Sequence, residues 1–81
     1  MNKKIIFTVE YNDIDNCVEL HFNKNGAINM INILNQCISL SQNEHFHLFT
    51  PSWGGGELTE EMQNTDGMCK LINHLKIVYW D

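Results

Sequence analysis

The hydrophobic period of this chain changes twice along its length, and those changes constrain the fold more than any other feature. From Ile5 to Tyr11, Ile5, Phe7, Val9 and Tyr11 alternate with Ile6, Thr8 and Glu10, the period of two that a half-buried strand requires. Asn12-Asp13-Ile14-Asp15-Asn16 follows, and because Asn and Asp bond their own backbone and tolerate unusual dihedrals, it reverses the chain into a hairpin. Cys17 to Phe22 alternates again. Between Asn23 and Gln42 the period lengthens: Ala27, Met30, Ile31, Leu34, Ile38 and Ser41 fall at steps of three and four, the spacing of an amphipathic helix. Asn23 or Asn25 is placed to cap it.

Alternation returns from His45 to Thr50 and stops at Pro51, which cannot donate to a ladder and restricts the residue before it. Ser52 to Gly56 reads as loop, Glu57-Leu58-Thr59 as a brief extension, and 59–67 as polar and turn-rich. Leu71 to Trp80 is the last alternating run. Strand, strand, helix, strand, strand predicts an α+β fold of ββαββ type, a four-stranded, mostly antiparallel sheet with one helix on one face. A helix of roughly 18 residues at ~1.5 Å per residue is long enough to cover that face. The other face stays open. With the more apolar side of each strand turned to the helix, it receives Ile6, Thr8, Glu10, Glu19, Phe49, Ile72, Val78 and Trp80, together with all four histidines, His21, His45, His47 and His74.

The chain has 81 residues and 43% hydrophobic residues, enough for one core and therefore one domain, 1–81. Its net charge is −5, and its basic residues are all lysines. Without arginine forks, direct nucleic-acid binding is not expected. An acidic surface steers instead toward a basic partner, or simply keeps a small protein in solution. The 3 cysteines, Cys17, Cys37 and Cys69, form no C-x-x-C pair, which suits a reducing compartment and neither a disulfide framework nor a structural zinc site. Glu10 interrupts the apolar run after Lys3 and Lys4, so no signal peptide is read there, and no segment has the length of a membrane helix. The cytoplasm is the expected location.

No catalytic motif is complete. His45-x-His47, with His21 and His74 on the same face, has the donor chemistry of a metal site, yet the spacing fits an ordinary polar face as well, and no metal or cofactor is expected. Gly54-Gly55-Gly56 lacks the lysine and hydroxyl residue that follow a phosphate-binding loop. Its role is conformational, beside the bulky ring of Trp53. Pro51, Trp53, Gly54 and Gly55 therefore read as a structural motif with Trp53 buried and Gly54 or Gly55 at positive φ. Cys, His and Glu pairs such as Glu60 and Glu61 with His74 occur by chance in any small protein, and the chain is not expected to be an enzyme. Trp53 and Trp80 serve equally as interface anchors or as a small second core.

The stretch His47-Leu48-x-Thr50-Pro51-x-Trp53-Gly54-Gly55-x-Glu57-Leu58, with Ile72-Asn73-His74-Leu75-Lys76-Ile77 and an aromatic end at Trp80, resembles the immunity protein 32 family of bacterial polymorphic toxin systems. The resemblance in letters covers about the last 35 residues, and in element order the whole domain. It implies a small cytoplasmic antitoxin that binds and blocks a toxin without catalysis. The candidate contact residues are His45, Phe49, Trp53, Glu57, His74 and Trp80, with Glu10 and Glu19 standing near a basic toxin. A small ligand- or metal-binding domain using the histidine-rich face is the alternative. Leu71 to Trp80, nearly apolar at both ends, reads as a possible sheet edge, and a homodimer through it or through the open face is a further expectation.

Overall fold

The computed structural model describes residues 4–39 and 44–80. In chain order the elements are β1 (Phe7–Asn12), β2 (Cys17–Phe22), α1 (Lys24–Ser39), β3 (Glu44–Phe49), a 3-10 turn (Pro51–Trp53), β4 (Lys70–Leu71) and β5 (His74–Tyr79). This is an α+β chain whose strands pair antiparallel throughout. The expected continuation of the helix to Gln42 lies outside the described residues. No helix among the described residues is long and apolar enough to cross a membrane.

Local chemistry explains the boundaries. Asn12 Oδ1 accepts from the backbone N–H of Ile14 at 3.0 Å and of Asp15 at 3.2 Å, and Asn16 takes the left-handed φ of 52° that asparagine tolerates. The hairpin register follows, with Phe7 opposite Phe22 and Asn12 opposite Cys17. Asn23, not Asn25, caps α1: its Oδ1 accepts from Gly26 N at 2.9 Å and from Ile6 N at 3.0 Å. One side chain therefore starts the helix and ties it to the entry of β1.

The single four-stranded sheet expected from the sequence is divided. The run expected as one strand from Leu71 to Trp80 bends at Ile72 and Asn73: β4 pairs with β1, whereas β5 pairs with β3. Two sheets result, ordered β2-β1-β4 and β3-β5. Asn73 makes the bend a joint, since its carbonyl accepts from Thr50 N at 3.1 Å and its Oδ1 from Thr50 Oγ1 at 2.7 Å. The core collects Phe7 and Val9 of β1, Leu48 of β3 and Leu58 of the loop, with Met30 and Ile33 of α1 and Phe46 and Leu75 packed around it, joined by Ile72, which the bend turns onto the core instead of the open face expected for it. One helix thus lies on strand residues of both sheets, as the ββαββ pattern implies.

The second face of β1 is not open. The polar run from Thr59 to Asn64 crosses it, so Thr8 and Glu10, expected in water, are fully buried. Thr59 N donates to Phe7 O at 2.8 Å, Phe7 N donates to Thr59 Oγ1 at 2.8 Å, and Thr8 Oγ1 donates to Glu61 O at 2.9 Å. A segment without periodicity can cover a sheet when its own backbone saturates the polar groups it buries.

Candidate functional site

The His47 to Leu58 stretch is built from the end of β3. Trp53 N and Gly55 N both donate to Thr50 O, at 2.9 and 3.0 Å, and Gly54 N donates to Pro51 O at 3.0 Å. Gly54 takes φ 90°, the positive value expected at Gly54 or Gly55 and one at which a side chain is strained. Gly55 lies so close to β3 that an added Cβ would meet the Cβ and carbonyl oxygen of Phe49 at 2.6 Å each. Glu57 Oε1 then accepts from Phe49 N at 3.2 Å and from Gly56 N at 3.4 Å. The bond from Phe49 first, and that from Gly56, hold the Glu57 carboxyl below its usual range against the opposing effect of burial. Leu58 N donates to Phe49 O at 3.2 Å, and the Leu58 side chain is buried in the core. The motif is a device that returns the chain and inserts one leucine.

Trp53 departs from expectation. Its side chain is not buried against the glycines: the residue is 59% exposed. The space beside Gly55 is taken by Phe49 of its own strand, and the turn completed by Gly54 leaves the indole in water. Pro51 is exposed as well. Thr50, Gly55, Glu57 and Leu58 have internal tasks, so the motif turns Trp53 and Pro51 to solvent, the tryptophan being the larger ring.

The open face of the β3-β5 sheet carries the other candidates. The register sets His45 opposite Val78, His47 opposite Lys76 and Phe49 opposite His74, all on the side away from Phe46, Leu48 and Leu75. His47 Nδ1 and His74 Nε2 stand 2.7 Å apart, a bond in which one imidazole donates and the other accepts. His74 stacks on Phe49 with centroids 4.5 Å apart, and His45 meets His47 edge-on at 5.1 Å. Desolvation first, and then positive charge on His74, His45 and Lys76, hold His47 below the ordinary histidine value. At the far end a shallow groove is lined by Glu44, His45, Lys76, Val78 and Trp80, and Trp80 is 75% exposed. His45, Phe49, His74 and Trp80 are thereby brought to one surface.

His21 does not join them, which corrects the placement of all four histidines on one face. The division into two sheets leaves it on β2, where Nε2 bonds Glu19 Oε1 at 2.8 Å. There it belongs to a polar cluster. Gln63 N donates to Glu10 Oε2 at 2.7 Å, Asn64 N to Glu10 Oε1 at 3.3 Å, and Asn64 Nδ2 to Glu10 Oε1 at 2.7 Å and Glu19 Oε1 at 2.8 Å. Burial pushes the Glu10 carboxyl up, but these bonds and the nearby His21 outweigh it and hold the group below its usual value. Donor atoms of Glu10, Glu19 and Cys69 lie within 4.8 Å of one another, chemically a set that zinc accepts. Each Glu10 oxygen, however, already accepts protein N–H groups, so the cluster stands complete as a clamp. Burial first, then the charges of Glu19 and Glu10, push the Cys69 thiol up, away from the thiolate that a nucleophile needs.

Asn64 is the member that sequence reasoning missed, since nothing marks it within a polar run. Glu10 did carry a signal, as a carboxylate amid the apolar residues of β1. No family model, curated protein or solved structure matches the chain.

Proposed function

We propose that this chain is a non-catalytic immunity protein of the cytoplasm that binds and blocks a bacterial toxin domain. The observation that carries the reading is the exposed aromatic surface. His45, His47, His74 and Phe49 form a ladder of rings in mutual contact, with Trp80 on the same side and Trp53 turned outward in the loop after β3. Rigid rings on a shallow, strand-built surface favour docking of a protein over enclosure of a small substrate. The net charge of −5 favours a basic toxin, a nuclease among them, and acts mainly on the rate of encounter. Glu10, Glu19 and Glu57 are all held by bonds within the fold, so such steering rests on the overall charge rather than on those three carboxylates. Co-expression with the product of the adjacent gene tests the reading: the pair is expected to co-purify and toxicity to be relieved, and neither occurring would refute it for that partner.

One observation favours a second reading, a ligand- or metal-binding surface. The His47–His74 pair at 2.7 Å opens into a two-imidazole chelate with a small rotation of either ring. Stoichiometric retention of zinc or nickel, abolished by His47→Ala, would favour that reading over the toxin-binding one.

A further inference from the structure

We infer that the chain forms a two-fold dimer through the outer edge of β2, with strand β2 of each copy paired antiparallel about Leu20 and the two α1 helices lying side by side over the junction. This inference is independent of the toxin-binding reading. It begins with surplus surface. The accessible area is 5640 Å² for 9.4 kDa, against roughly 5000 Å² for a folded monomer of that mass. The radius of gyration is 13.6 Å, against about 12 Å for the length.

Among the described residues, six of the thirteen large hydrophobic side chains left exposed lie together. On the helix side of β2, Val18, Leu20 and Phe22 are 59%, 53% and 58% exposed. On α1, Ile31, Leu34 and Ile38 are 54%, 48% and 58% exposed, and with Ala27 they follow at steps of three and four, so they share one flank. The opposite flank holds Asn25, Asn29, Asn32 and Gln36. Ala27 lines an apolar groove with Leu20 and Phe22, which turns the apolar flank toward the ledge of β2 that the helix leaves uncovered. These six side chains leave on the order of 600 Å² of apolar surface in water, at the top of the range for a monomer's largest patch. That is most of the ~800 Å² per partner of a standard interface.

The occupant is identified by the strand itself. Among the described residues no strand pairs with the outer edge of β2, so its backbone groups there are a template for another strand. Antiparallel pairing with a second copy must keep apolar opposite apolar, which admits only registers centred on a residue. Centred on Glu19, two carboxylates would face each other, and centred on His21, two imidazoles. Centred on Leu20, Glu19 faces His21 of the second copy, Val18 faces its Phe22, and Leu20 faces its own equivalent. This register is self-complementary in charge and in apolarity, as a two-fold contact requires. The axis stands perpendicular to the sheet, so both helices fall on the same side and their apolar flanks close over the ledge. Strand β5, the edge singled out from sequence, presents Lys76, a common edge guard. β2 carries neither lysine nor proline.

Sedimentation of the full chain gives the test. The expected mass at high micromolar concentration is twice 9.4 kDa, and Leu20→Lys, which sets two ammonium groups at the axis on a residue already exposed, is expected to halve it while the circular dichroism stays that of the folded chain and the melting temperature loses its dependence on protein concentration. In a Cys17→Ser background, Leu20→Cys is expected to form an intermolecular disulfide, because directly opposed strand residues have Cα atoms ~4.5–5.5 Å apart. Val18→Cys, which faces residue 22 of the second copy, is not. A wild-type monomer overturns the proposal, including one whose co-purification with a toxin is lost in Leu20→Lys. A dimer that survives Leu20→Lys and is not cross-linked through Leu20→Cys overturns it equally.

Discussion

Leu58 and Trp53 sit in the same loop and carry opposite energetic weight. Leu58 is fully buried among Phe7, Val9 and Leu48, so Leu58→Ala is expected to cost about 2–5 kcal/mol, a large part of the ~4–12 kcal/mol available to a domain this size. Trp53, in water, is expected to cost no more than ~0.5 kcal/mol on replacement by alanine. Thermal melts of the two variants check this, the first falling by at least about 8 °C and the second by less than about 4 °C. His47 supplies a second measurement at this scale. Its neutral form is favoured by desolvation and by the charges of His74, His45 and Lys76, so its imidazole protons should titrate at a lower pH than those of a free histidine. His74→Ala is expected to move that midpoint upward in an NMR titration, and an unmoved midpoint would contradict the bond between the two rings.

Among the elements, the bend between β4 and β5 decides the architecture, and it depends on one amide. Asn73 Oδ1 accepts from the hydroxyl of the fully buried Thr50 at 2.7 Å. Asn73→Ala removes that bond, a loss of about 0.5–1.5 kcal/mol for a typical intramolecular hydrogen bond. Urea unfolding of Asn73→Ala, Thr50→Val and the double variant should show a coupling of roughly 0.5–3 kcal/mol. Additive effects would mean the joint is held by the backbone bond from Thr50 N to Asn73 O alone. The hairpin, by contrast, depends on the Asn12 side chain and the left-handed Asn16, both local. It would keep its register if the joint were lost.

For the whole molecule, the polar run over β1 makes acid stability a property of tertiary structure. Glu10 is depressed in the fold, so the unfolded chain binds its proton more readily. The stability it contributes is present above the unfolded value of about 4.3 and is lost as pH falls through the lower folded value. Glu19, Glu57 and Glu60 are depressed as well, but they stand at the surface, where solvent screens them. Glu10→Gln sets an amide against the N–H groups of Gln63 and Asn64. It is expected to melt lower at neutral pH and to show a flatter decline between about pH 5 and 3 than the parent. Equal slopes would place the acid limb elsewhere. What the sequence determined by itself was whatever depends on neighbours in the chain: the periods of the first hairpin and helix, the caps and turns made by asparagine, the stop at Pro51 and the left-handed glycine after Trp53. Partners far apart in sequence had to be seen in place. The polar run that buries Thr8 and Glu10 has no period to announce it, the bend at Asn73 is invisible where alternation continues through it, and Trp53 points outward because Phe49 already fills the space beside Gly55. Periodicity records which side of a segment is apolar, whereas burial depends on what else arrives to cover it.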